Sequence, residues 1–286
     1  MDLSRFTSFR LFQGSPYRSH KHTTYFPVYD QLFGPYRDRP ITFVEIGVLN
    51  GGSLFMWREF FGKRARIIGV ELDPGAKRWE EHGFEIHIGS QSDPEFWRRF
   101  CAEVGPIDLL LDDGGHTYEQ QIVTFECLLP QIRDGGLAVF EDTHSSYLRE
   151  FGAPSRASFV NYARNIVDGI NYRYSELADA PHETQVWSIR FLESFVVFEV
   201  DRALCAIRSE PIHNHGQTVG AEDYRYADTP LIVALGRAAR TCGALRHVPF
   251  ARRGYHAMRD LLQKLRNGAR NRRLRRRFPY PRNHTR

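Results

Sequence analysis

Val44-Glu45-Ile46-Gly47-Val48-Leu49-Asn50-Gly51-Gly52-Ser53 is the stretch on which the fold turns. Ile41–Val48 is an apolar, strand-like run that ends in glycines. Behind the glycines, Ser53–Phe61 reads as a helix, with Leu54, Trp57 and Phe61 on one face. Glycines at such a strand-to-helix turn let the backbone approach a ligand closely, and the helix start offers free N–H groups.

The same alternation continues outward. Arg66–Leu72 is a second β-like run, Ala76–His82 a short helix and Phe84–Ile88 a third strand. Asp93-Pro94-Glu95 is a helix start, with Asp as N-cap and Pro in the first turn. Ile107–Leu111 is a fourth, almost wholly apolar strand. Tyr118–Pro130 is a helix and Gly136–Phe140 a fifth strand. Strands alternating with helices predict an α/β fold with a mostly parallel sheet and helices on both faces. Arg156–Ile170 could add a helix. Gln185–Arg190 and Phe195–Val200, separated by residues 191–194, read as an antiparallel hairpin on the sheet edge. Five alternating units and a terminal hairpin are the layout of a Rossmann-like class I methyltransferase domain. The expected division is 1–40 as an irregular or short-helical lead-in, 41–202 as that domain, 203–268 as a helical extension and 269–286 as a basic disordered tail. Leu231–Ala239 and Tyr255–Leu265 are the expected helices of the extension.

Charge is divided unevenly. Residues 231–286 hold 16 Lys and Arg against one acid, Asp260, which leaves 23 bases and 33 acids of the chain's 39 and 34 to the preceding 230 residues. The body is acidic and the tail strongly cationic, so the tail suits an anionic surface, such as a membrane face or nucleic acid. The acidic body argues against nucleic acid at the site itself. The longest apolar runs, such as Phe195–Phe198, are too short to span a membrane, and the first residues carry no signal-peptide pattern. Cys101, Cys127, Cys205 and Cys242 are scattered, as expected of reduced thiols in a cytoplasmic protein, and the cationic tail leaves room for a peripheral place at the inner membrane face. Monomer and homo-oligomer are both compatible with the sequence.

Three motifs carry chemistry. In the first, Gly47-x-x-x-Gly51-Gly52 departs from the GxGxxG of dinucleotide folds. Glu45 just before it suits a positively charged ligand, such as the sulfonium and amino group of S-adenosylmethionine (SAM). In the second, Glu71 ends strand two, where a carboxylate can accept both ribose hydroxyls of a nucleoside. The third pairs Asp112-Asp113-Gly114-Gly115-His116 with Glu141-Asp142, two sets of acids at the carboxyl ends of apolar strands. If strands four and five are neighbours, these acids converge, and a hard divalent cation such as Mg²⁺ would relieve their repulsion. His116 can face the same crevice as a general base.

These motifs, together with Gly89-Ser90-Gln91-Ser92-Asp93 and Val139-Phe140-Glu141-Asp142-Thr143-His144, resemble the metal-dependent sugar O-methyltransferases, over roughly residues 25–200. The resemblance implies that Asp113, Glu141 and Asp142 hold the metal and that His116 is the base. It also implies that Glu45, Gly47, Ser53, Glu71, Gln91 and Asp112 lie around SAM, with Gly51 in the same loop. The implied acceptor is a sugar hydroxyl of a glycoside or glycan. Thr143-His144 stands where relatives often carry a bulky residue, which leaves the acceptor open. Catechol-type O-methyl transfer, RNA methylation and a non-catalytic SAM-binding module are the competing readings.

Overall fold

The computed structural model describes residues 2–174, 177, 182–220 and 249–277. The expected helix over Leu231–Ala239 and the end of the tail, 278–286, lie outside the described residues. The chain divides into two compact units, Met1–Pro211 and a second from Ile212 onward.

The first unit is built on a seven-stranded sheet. Its strands are β1 (Thr42–Ile46), β2 (Arg66–Glu71), β3 (Glu85–Ile88), β4 (Ile107–Asp112), β5 (Ile132–Phe140), β6 (Val186–Leu192) and β7 (Phe195–Val200). The order is β3-β2-β1-β4-β5-β7-β6. β1 to β5 pair in parallel, and β7 runs antiparallel to both β5 and β6. Strands four and five are therefore neighbours, and the parallel sheet with an antiparallel hairpin is the expected class I methyltransferase fold. The helices are α1 (Thr7–Gly14), α2 (Tyr25–Phe33), α3 (Gly52–Phe61), α4 (Pro94–Val104), α5 (Tyr118–Leu128) and α6 (Phe159–Asn171), with a 3-10 stretch at Pro74–His82. Asp93 caps α4 through Glu95 N, and Thr117 with Gln120 forms a capping box on α5.

Two buried clusters flank the sheet. One joins α1, α2 and α3 to the sheet through Tyr25, Tyr29, Phe33, Phe43, Trp57 and Phe61. The other joins α4, α5 and α6 through Trp97, Phe100, Phe125, Phe140 and Phe159. The lead-in segment is thus part of the core: Tyr29 and Phe33 are fully buried. The hairpin is tighter than its sequence implied. Phe191 and Leu192 pair with Val196 and Phe195, so the turn narrows to Glu193-Ser194, with Ser194 at φ 65°.

In the second unit, a single helix covers Pro249–Arg277. The sequence predicts disorder from residue 269 onward, whereas the helix continues to Arg277. Arginine and leucine are strong helix formers, and the stretch holds no β-branched residue between Arg259 and Arg277. Arg272, Arg273, Arg275 and Arg276 are exposed. Among the described residues no helix is long and apolar enough to cross a membrane.

Candidate active site

The loops after β1, β4 and β5 are tied together by the backbone. Gly47 N donates to Val70 O at 2.9 Å, Asp113 N to Ile46 O at 3.0 Å and Glu141 N to Asp112 O at 3.0 Å. These bonds carry the ladder one residue past each strand and bring the acids to one side of the sheet. Gly47 is required here: it sits at φ +87°, and a Cβ on it would stand 2.0 Å from the Asp113 carbonyl oxygen. His116 and Asp142 adopt φ of 58° and 55°, a left-handed region that non-glycine residues seldom occupy and that clusters at functional sites.

A cavity of about 420 Å³ opens at these strand ends. Its wall includes Gly47, Ser53, Glu71, Gln91, Asp113, His116 and Asp142. Glu71 Oε2 accepts from Val48 N and Leu49 N at 3.0 and 2.8 Å, which fixes the glycine loop over the cavity. Glu45, Gly51 and Asp112 stand behind the wall. Glu45 is fully buried and accepts from Ser53 Oγ at 2.9 Å and Trp57 Nε1 at 3.0 Å. Burial pushes its carboxyl up to about 7. Gly51, at φ +76°, starts α3 where a Cβ would meet the Trp79 ring at 2.5 Å. Asp112 accepts from Gln91 Nε2 and Gly114 N, both at 3.1 Å, and burial raises it to about 6.

Beside the cavity, Asp113, His116 and Asp142 each present a donor atom, all within 4.8 Å of one another. His116 Nε2 is 3.4 Å from Asp142 Oδ2 and 4.0 Å from Asp113 Oδ1. Its Nδ1 is buried without a hydrogen-bond partner. Burial holds the imidazole below the ordinary histidine range, although Asp142 and Glu141 pull the other way. Burial likewise lifts Asp113 to about 6. Glu141 is fully buried behind this group, accepting from Tyr29 Oη at 2.6 Å and Lys21 Nζ at 2.5 Å. Its carboxyl is raised well above the ordinary range by burial and the neighbouring Asp113 charge. Lys21 Nζ also donates to Asp113, and Tyr25 Oη donates to Asp142. A second set, His22, Asp142 and His144, gathers on the other side of Asp142's carboxylate, sharing that residue with the first.

The sequence reading missed Lys21, Tyr25 and Tyr29. The available signal was the four-residue spacing of the tyrosines, which sets both hydroxyls on one face of α2.

Residues 44–143 match the family model described as "Methyltransferase domain". The chain is 36% identical over 170 residues to the 8-demethyl-8-alpha-L-rhamnosyl tetracenomycin-C 2'-O-methyltransferase of Streptomyces olivaceus, covering 55% of this chain and 44% of that one. It is 33% identical over 174 residues to the mycinamicin VI 2''-O-methyltransferase of Micromonospora griseorubida, covering 55% and 42%. The match spans less than half the length of these curated relatives. Among solved structures, the MycE methyltransferase of the mycinamycin biosynthetic pathway, in complex with Mg, SAH and mycinamycin VI, superposes with a TM-score of 0.60. The identity is 29%, covering 71% of this chain and 54% of that one.

Proposed function

We propose that the protein is a SAM-dependent, divalent-metal-dependent O-methyltransferase acting on a sugar hydroxyl of a glycoside or glycan. The observation that carries this reading is the convergence of Asp113, His116 and Asp142 on the edge of the cavity bounded by Gly47 and Glu71. The sugar acceptor is supported by relatives named for O-methylation of a rhamnosyl tetracenomycin and of L-olivosyl-oleandolide.

The donor chemistry fits a hard divalent cation. Two carboxylates and the His116 imidazole each bring a donor atom within 4.8 Å of the others, and Glu141 stands next to them. Asp113 and Asp142 would hold the cation, with Glu141 as a third oxygen ligand. When bound, it supplies Lewis acidity that lowers the pKa of an alcohol. SAM would lie in the cavity, with Glu71 toward the ribose, Gly47 allowing close backbone approach, and Gln91 and Ser53 on the wall. Glu45 and Asp112 act from behind, by fixing Ser53 and Gln91. His116 is neutral near pH 7 and accepts the hydroxyl proton at Nε2. There the new charge faces Asp142 and Asp113. The alcohol oxygen forms a bond to the SAM methyl carbon as the carbon–sulfur bond breaks. Holding both in line contributes much of the rate.

The arginines of the Pro249–Arg277 helix support a further part of the proposal: contact with an anionic membrane face, suited to a lipid-linked glycan acceptor. The acceptor class is tested by incubating the full chain with methyl-labelled SAM and panels of glycosides, catechols and RNA. Label on a sugar oxygen is the expected result. Label on catechols or RNA alone overturns the sugar reading.

A further inference from the structure

Lys21 has no role in the reaction above, yet its place is unusual. Its side chain is 1% exposed, and its ammonium sits against both Asp113 and Glu141. A buried lysine is costly unless its charge is matched. Here two carboxylates match it, and the face of the Tyr29 ring lies 5.8 Å from Nζ. Burial alone would depress the lysine, but Asp113, Glu141 and Glu45 outweigh it and hold the ammonium charged. Lys21 Nζ therefore occupies the position between two of the three acids assigned to the metal. Only Asp142 of that trio is left to Tyr25 and His116.

The lysine is also tethered to the cavity. Arg18, Ser19 and His20, just before it, line the same wall, and Ser15 Oγ donates to Gly52 O at 2.8 Å. A Cβ on Gly52 would stand 2.3 Å from the Tyr17 carbonyl oxygen, so the segment lies directly on the start of α3.

We propose that Lys21 is a built-in counter-cation that competes with the divalent metal for Asp113 and Glu141, so that metal binding expels its ammonium from between them. The inference rests on the metal reading above. An ammonium and a dication drawn to the same two oxygen atoms repel each other, and the repulsion is strong where burial excludes water, as it does around Lys21. With Lys21 in place, the cluster is charge-compensated without metal. With metal in place, the lysine must find solvent or another partner. The metal affinity is then the difference between two cations, not the intrinsic affinity of the carboxylates.

The test uses the full chain and Mn²⁺ as the probe, with free Mn²⁺ counted by electron paramagnetic resonance. Lys21→Gln should bind Mn²⁺ at least tenfold more tightly than the wild type. Equal or weaker binding by Lys21→Gln overturns the inference while leaving the metal reading standing. Absence of binding by both proteins overturns both. A second measurement needs no variant. Lys21 is one of four lysines, and amine acetylation followed by peptide mass spectrometry reads its accessibility. It should be protected in chelator-treated protein and become reactive at saturating Mn²⁺. Protection that persists at saturating Mn²⁺ overturns the competition.

Discussion

Tyr29→Phe removes one oxygen atom from the deepest part of the site, and its cost follows from the structure. Tyr29 is fully buried, and its hydroxyl donates to Glu141 Oε2 at 2.6 Å. Its ring packs edge-on against Trp57 and Phe195 and stacks with Phe33. Phenylalanine keeps those ring contacts, so no large cavity term arises. What is lost is one hydrogen bond to a buried carboxyl, while Lys21 continues to serve the other oxygen. A hydrogen bond to a charged group contributes about 1.5–3 kcal/mol. For a unit of this size each kcal/mol moves the midpoint by about 2–4 °C, so the expected fall is about 3–12 °C. Thermal unfolding followed by circular dichroism at pH 7, in the presence of a chelator, reads it. A shift below about 1 °C would refute the reasoning, because it would mean that Glu141 does not depend on Tyr29.

Further outcomes follow from the same site. His116→Ala should lose about 10²–10⁴-fold in turnover while SAM binding measured by calorimetry is retained. Because burial holds His116 below 6.5, the acid limb of the wild-type rate profile should have its midpoint below that pH. Glu45 has a folded-state pKa raised from 4.5 to about 7. Its contribution to stability is therefore full below pH 4.5 and is lost as pH rises to about 7, so Glu45→Gln should flatten the fall in melting temperature across that window. Reversing Arg272, Arg273 and Arg276 to Glu should abolish co-sedimentation with anionic vesicles and leave turnover on a soluble glycoside unchanged. Equal sedimentation of both proteins removes the membrane proposal.

Much of the sheet was legible in the sequence because its strands are short apolar runs that end in glycines or acids. The strand-end acids declared themselves for the same reason: Asp112-Asp113 and Glu141-Asp142 follow runs that are otherwise buried. The start of β5 was hidden. Arg133, Asp134 and Gly135 are polar and exposed, and Gly135 stands at φ +79°, so the strand from Ile132 looks like a turn until Gly136. The lead-in segment was opaque for a different reason. Tyr25 and Phe26 are core residues, with Phe9 and Phe12 packed on Phe26, and Tyr25 meets Phe195 of the hairpin, far away in sequence. No local period announces such contacts. Lys21 was invisible on the same grounds, since its partners lie 92 and 120 residues away. Glu45 and Asp112 were picked out by position, yet only the side-chain partners place them behind the cavity wall.

The most direct test of the central account is methyl transfer from labelled SAM to a sugar hydroxyl, measured on chelator-treated protein before and after Mg²⁺ is returned. The account predicts transfer that disappears with the chelator, recovers with Mg²⁺ and fails to recover in Asp113→Ala. Undiminished transfer after complete removal of divalent cations would contradict it.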